Sequence, residues 1–187
     1  VDYICEKLIC IPSLSTNNNE TYFSLDFGFV IPKNVIETLM QKLVKPYTDK
    51  IKDKESKYSK LFIDRGTGRI LSNRSEVVNY FKSLGFYVVE GANLSLEEKA
   101  LLFYHATEIV GMHCSAWQNL IFCNNVKCLE MSNYRYVGET CFYTMARSKV
   151  KKWINVAGQD ENASLLSNYY IPLDKIKRAY KELLNDE

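Results

Sequence analysis

From Lys60 onward, short runs of β-branched and aromatic residues alternate with amphipathic stretches at a spacing that leaves few architectures open. "KLFIDR" (60–65) has the length and content of a strand, and "RSEVVNYFKSLG" (74–85) carries apolar residues at helical spacing, with Gly85 placed to close the helix. "FYVVEG" (86–91) is a second strand. "SLEEKALLFYHA" (95–106) is a helix opened by a capping box, Ser95 with Glu98. "TEIVGM" (107–112), "SAWQNLIFC" (115–123) and "VKCLEM" (126–131) continue as strand, helix and strand. Such alternation, with short polar turns between, builds βαβ units and an α/β fold with a mainly parallel sheet.

The flanks are less regular. Residues 1–59 hold one strand, "YICEKLICIP" (3–12), an asparagine-rich loop (13–26), and one helix, "KNVIETLMQKLVKPY" (33–47), expected to end before Pro46. Residues 132–187 hold a short helix over 139–149, a strand over 152–158, a loop over 159–168 and a terminal helix over 171–184. That last helix has Asp174 in its first turn and Ile176, Ala179, Tyr180 and Leu183 on one face. The 187 residues are enough for a single domain, with 60–131 as its core, or for half of a larger protein. The chain starts without methionine and is expected to be cut from a longer one.

Charge and composition exclude several classes. A net charge of +2 leaves no electrostatic footprint for nucleic acid, and the lysine-rich run 45–60 is diluted by acids, as a solvated face would be. No stretch reaches the roughly 18 apolar residues of a membrane span, and the first residues lack the pattern of a secretory signal. The six cysteines form no CxxC pair, so no zinc site is expected. Sequon-like triplets begin at Asn19, Asn73, Asn93 and Asn162, which matter only in a secreted chain. Two compartments fit: the cytoplasm or membrane surface of a bacterium, or the secretory lumen of a eukaryote.

In an open parallel sheet, ligands bind beyond the carboxyl ends of the strands. Three such ends carry polar residues here: Asp64, Arg65 and Arg69 around a Gly-Thr-Gly turn, then His113, Cys114 and Ser115, then Glu130, Ser132 and Asn133. Arginines contact phosphate oxygens in pairs, a helix N-terminus favours an anion, and a glutamate at a strand end can accept from a ribose diol. Together they suit a nucleoside diphosphate. Taken singly, each has a duller reading: exposed turn charges for Arg65 and Arg69, an ion-pair partner for Glu130, a core residue for His113. His105, near a helix C-terminus, fits that core role better, and Phe81, Phe86, Phe103 and Phe122 fall at core positions. Cys114 beside His113 could suggest a nucleophile, but chain neighbours seldom aim at each other and no third group is evident.

The stretch Leu61 to Met131 resembles the core of glycosyltransferase family 61, described in bacteria as capsular polysaccharide biosynthesis proteins. The matching positions are Arg65, Arg69, Asn73 and Glu76, then Gly85–Phe86, Leu94–Ser95 and Phe103–Ala106, then His113, Asn119 and Glu130. Two departures stand out: Cys114–Ser115 replaces the usual Gly-Ala, and Lys99 stands where glutamine is common. The resemblance implies a Rossmann-like domain with helices on both faces of the sheet, the C-terminal, donor-binding half of a GT-B enzyme. It implies inverting transfer of a sugar from a nucleotide sugar to a glycan or saccharide hydroxyl, releasing a nucleoside diphosphate, with no metal or other cofactor required. Arg65, Arg69, His113, Ser115 and Asn119 would form the donor-phosphate site, Asn119 by holding the loop in shape, and Glu130 would meet the ribose. The general base would come from an N-terminal half of the parent protein. Two other readings compete: a non-catalytic binding or regulatory domain, favoured by Cys114–Ser115, and a hydrolase using Cys114.

Overall fold

The computed structural model describes residues 38, 40–89, 94–136, 142, 146–162, 164 and 167–185. The strand expected at 3–12 and most of the helix expected at 139–149 lie outside these residues; the latter's end is a 3₁₀ turn, Arg147–Lys149. The first helix does not stop at Pro46. A π-helical turn, Met40–Val44, runs into α1, Lys45–Ile51, with the proline in the first turn of the new helix. There a missing N–H costs nothing, because first-turn amides lack intrahelical acceptors.

The alternation from Lys60 appears as β1 (Lys60–Ile63), α2 (Arg74–Ser83), β2 (Tyr87–Val89), α3 (Leu96–Tyr104), β3 (Glu108–Met112) and β4 (Val126–Asn133). Gly85 closes α2 at φ 84°, with its N–H bonded to Lys82 and that of Phe86 to Phe81, the paired bonds of a Schellman motif. The Ser95–Glu98 capping box opens α3. Between β3 and β4, however, Ser115–Phe122 winds as a 3₁₀ helix rather than the expected α-helix. Its three-residue repeat stacks Trp117, Leu120 and Cys123 under one face, all within 1% of full burial.

The strand expected at 152–158 is longer, β5 (Val150–Asp160), and the expected loop ends in a short antiparallel partner, β6 (Tyr169–Tyr170). The terminal helix is α4 (Leu173–Leu184). Its last carbonyls accept from Lys127 and Lys152, cations suited to a helix C-terminus.

The six strands lie in the order β2-β1-β3-β4-β5-β6, the first five parallel. The strand order therefore reverses at β1, which has β2 on one side and β3 on the other. Alternate residues face opposite layers. Phe62, Val110, Leu129 and Val156 meet α2 and α4 through Phe81, Ile176 and Leu183. Leu61, Ile63, Ile109 and Cys128 meet α1, α3 and the 3₁₀ helix through Ile51, Phe103 and Trp117. Helices cover both faces. Fully burying one such side chain contributes about 1.5–3 kcal/mol. Opposite Ile63, Gly111 leaves no room for a side chain, since a Cβ there would stand 2.5 Å from the Ile63 carbonyl oxygen.

The loop after β1 is fastened to the far end of the chain. Ile70 accepts from Tyr169 and Tyr169 accepts from Ser72, while the Asn168 side chain takes the Ile70 N–H. The Asn73 amide reaches the Ile171 carbonyl at 3.0 Å.

Candidate functional site

Strands running in parallel deliver their carboxyl ends to one rim, and β1 and β3 are neighbours there. Asp64 follows β1 and is buried in a two-pronged ion pair with Arg74, from Nε at 2.8 Å and from Nη2. Arg65, half-buried, donates from Nε to the Thr67 carbonyl at 3.0 Å and from Nη1 to the His113 carbonyl at 2.8 Å. Gly68 and Arg69 both adopt left-handed backbone, φ 59° and 53°, which turns the loop sharply back toward the sheet. An arginine pays for that conformation where a glycine would not.

An open cleft of about 680 Å³ lies where the strand order reverses, lined by Arg65, Thr67, Lys99, Ser115, Gln118 and Asn119 among others. Of the residues anticipated for donor phosphate, Arg65, Ser115 and Asn119 line this cleft, and Arg69 and His113 do not. Asn119 donates to the Ala116 carbonyl at 2.9 Å within its own 3₁₀ helix. Arg69 is close enough that its charge, like that of Arg65, favours the Cys114 thiolate; burial outweighs both and pushes the thiol up. A neutral thiol is a poor nucleophile. The Ala116 amide favours the thiolate as well, without outweighing burial.

His113 and Glu130 meet. The His113 Nδ1–H donates to Glu130 Oε1 at 2.7 Å, and the Asn155 amide donates to Oε2 at 3.0 Å. The Glu130 side chain is only 2% exposed. Both carboxylate oxygens anticipated for a ribose thus hold protein groups. The imidazole packs on Phe142, 5.4 Å between ring centres. His105 caps α3, its Nε2 buried and unpartnered among the described residues.

Lys99 is the cleft residue that sequence reasoning noted without assigning. It is half-buried on α3, and no hydrogen bond or ion pair engages its ammonium among the described residues. Its only signal was the replacement of a neutral residue by a cation. No group of three or more His, Cys, Asp or Glu able to hold a metal occurs among the described residues, and none of their helices is long and apolar enough to cross a membrane.

These features define a mainly parallel α/β protein with a cationic cleft at the reversal of its strand order. The Glycosyltransferase 61 family pattern matches residues 3–129, and the chain belongs to that family. Membership suggests glycosyltransferase activity and implies a sugar donor and an acceptor. Comparison with curated proteins returned no match.

Proposed function

We propose that this chain is the donor-binding part of an inverting glycosyltransferase of Rossmann-like, GT-B architecture, acting on a nucleotide sugar in polysaccharide or glycan biosynthesis. The observation that carries the reading is the convergence of Arg65, Lys99 and Ser115 on one cleft at the switch between β1 and β3, where open α/β sheets receive ligands.

In the reaction, an acceptor hydroxyl oxygen bonds to the anomeric carbon while the bond from that carbon to the diphosphate oxygen breaks. The electron pair leaves with the nucleoside diphosphate, and a base takes the hydroxyl proton. Negative charge grows on the leaving group, so cations already oriented toward it stabilise the transition state more than the ground state. Arg65 and Lys99 are those cations, with Arg69 adding charge from the turn behind. The base comes from an N-terminal half of the parent protein.

Cys114–Ser115 in place of Gly-Ala favours one second reading, a domain that binds donor without turnover. Thermal stability of the chain with a panel of nucleoside diphosphates tests the first point. A diphosphate at about 100 times its Kd stabilises by about 2.7 kcal/mol. Stabilisation by one base but not others, abolished in Lys99→Ala, supports the donor site; no stabilisation by any member of the panel overturns it. Sugar transfer by the full-length parent separates an enzyme from a binding domain.

A further inference from the structure

Directly beyond the apolar pair Trp117 and Trp153, the same face of the sheet turns polar. His113 after β3, Glu130 and Ser132 on β4 and Asn155 on β5 stand side by side, Glu130 in register with Asn155. Ser132 donates to Asn155 Oδ1 at 3.1 Å, Asn155 donates to Glu130 Oε2 at 3.0 Å, and Glu130 accepts from His113 at 2.7 Å. Ser132 is fully buried and Glu130 nearly so. The series does not end at the imidazole. The His113 amide donates to Met131 at 2.8 Å, and its carbonyl receives the Arg65 guanidinium at 2.8 Å.

We propose that Ser132, Asn155 and Glu130 form a brace, buried at Ser132 and Glu130 and open to solvent at Asn155, that positions Arg65 through His113. The proposal rests on the donor-site reading for its effect on ligand affinity, though not for its effect on Arg65 itself. Burying the polar side chains of Ser132 and Glu130 has a cost, and Asn155 satisfies both of them. With its ring anchored at Nδ1 and its amide tied to β4, His113 cannot rotate its carbonyl away from Arg65. The acceptor for Arg65 Nη1 is therefore fixed, and with it the direction of the guanidinium. Glu130 serves by geometry: a glutamine could accept from His113 through its oxygen and donate to a flipped Asn155, whose amide would then donate to the Ser132 hydroxyl.

The test has two arms. In the first, calorimetry measures pyrophosphate binding to wild type, Asn155→Ala, Ser132→Ala, Glu130→Ala and Glu130→Gln, each with and without Arg65→Ala. Coupled residues depart from additivity. The brace requires a loss of roughly tenfold in Asn155→Ala and Glu130→Ala, within the range of such couplings. It requires retention in Glu130→Gln and less than about a twofold further change once Arg65 is absent. Losses of equal size with and without Arg65 overturn it, as does failure of Glu130→Gln to rescue, which would make the carboxylate charge itself, rather than its geometry, the requirement.

In the second arm, ¹⁵N NMR of the ligand-free chain follows the Arg65 Nε–H. The signal should shift and exchange faster in Asn155→Ala and in the milder Ser132→Ala while the amide fingerprint is kept; an unchanged signal overturns the brace. Should pyrophosphate fail to bind wild type while this signal responds, the donor site is wrong and the brace stands.

Discussion

The Arg65 guanidinium donates to the His113 main-chain carbonyl at 2.8 Å, joining the carboxyl ends of β1 and β3 directly. Its Nε is held by Thr67 as well. Two donors of the fork are committed to the scaffold, so its orientation is fixed before any anion arrives, and the ordering cost of binding falls accordingly. A lysine could supply the charge but not this fixed direction.

Arg65→Lys should therefore weaken diphosphate binding almost as much as Arg65→Ala. Hydrogen bonds to charged groups contribute about 1.5–3 kcal/mol, so affinity should drop roughly tenfold or more. Calorimetry checks this, and full retention by the lysine variant would mean that charge alone matters.

Lys99 tests the charge contribution in isolation. No protein partner holds its ammonium among the described residues, so Lys99→Ala should leave the unfolding temperature within about 1–2 °C of wild type, as surface changes do. The salt dependence of diphosphate binding should become shallower, since one cation fewer faces the ligand. Titrations at two salt concentrations read this directly.

Gly111→Ala probes the close approach of β1 and β3. The new Cβ would meet the Ile63 Cβ at 2.6 Å and its carbonyl oxygen at 2.5 Å, so backbone must shift. Overpacking of this kind costs about 1–3 kcal/mol, and the unfolding temperature of a chain this long should drop by about 2–4 °C for each kcal/mol. Because His113 follows two residues later, pyrophosphate affinity should fall as well.

Alkaline pH should destabilise the fold. Burial raises the thiols of Cys114, Cys123 and Cys128, and also the Tyr169 hydroxyl. Each is neutral when protonated, so the unfolded chain releases these protons first, once pH passes the ordinary thiol value of about 8.5. Above that point the unfolded state binds fewer protons than the native state, and stability falls as pH rises toward the folded values. Urea midpoints between pH 7.5 and 10 should decline, and less steeply in Cys128→Ala; an unchanged slope would remove that thiol from the account.

The elements legible in the sequence were those whose signals are local. Alternation marked β1, β3 and β4, the Ser95–Glu98 box marked α3, and Gly85 marked the end of α2. Pro46 misled because a helix-breaking residue is harmless in a first turn. The 3₁₀ winding of Ser115–Phe122 was written in the three-residue spacing of Trp117, Leu120 and Cys123, which an α-helical template passes over. β6 is two residues long and defined by its partner, so nothing local announces it. At the rim, Arg65 could be placed from its strand alone, whereas the union of Lys99 with it depends on how α3 packs. The direction of Glu130 depends on Asn155, which lies on another strand.

The fastening of residues 70–73 to 168–171 bears on where this chain can be cut. The family match ends at residue 129, yet the turn carrying Arg65 and Arg69 is buttoned to residues some forty positions beyond that limit. A fragment trimmed to the shared family boundary would keep both arginines in its sequence and lose the seam that shapes their loop. In this protein the limit of the family match and the limit of mechanical integrity fall in different places.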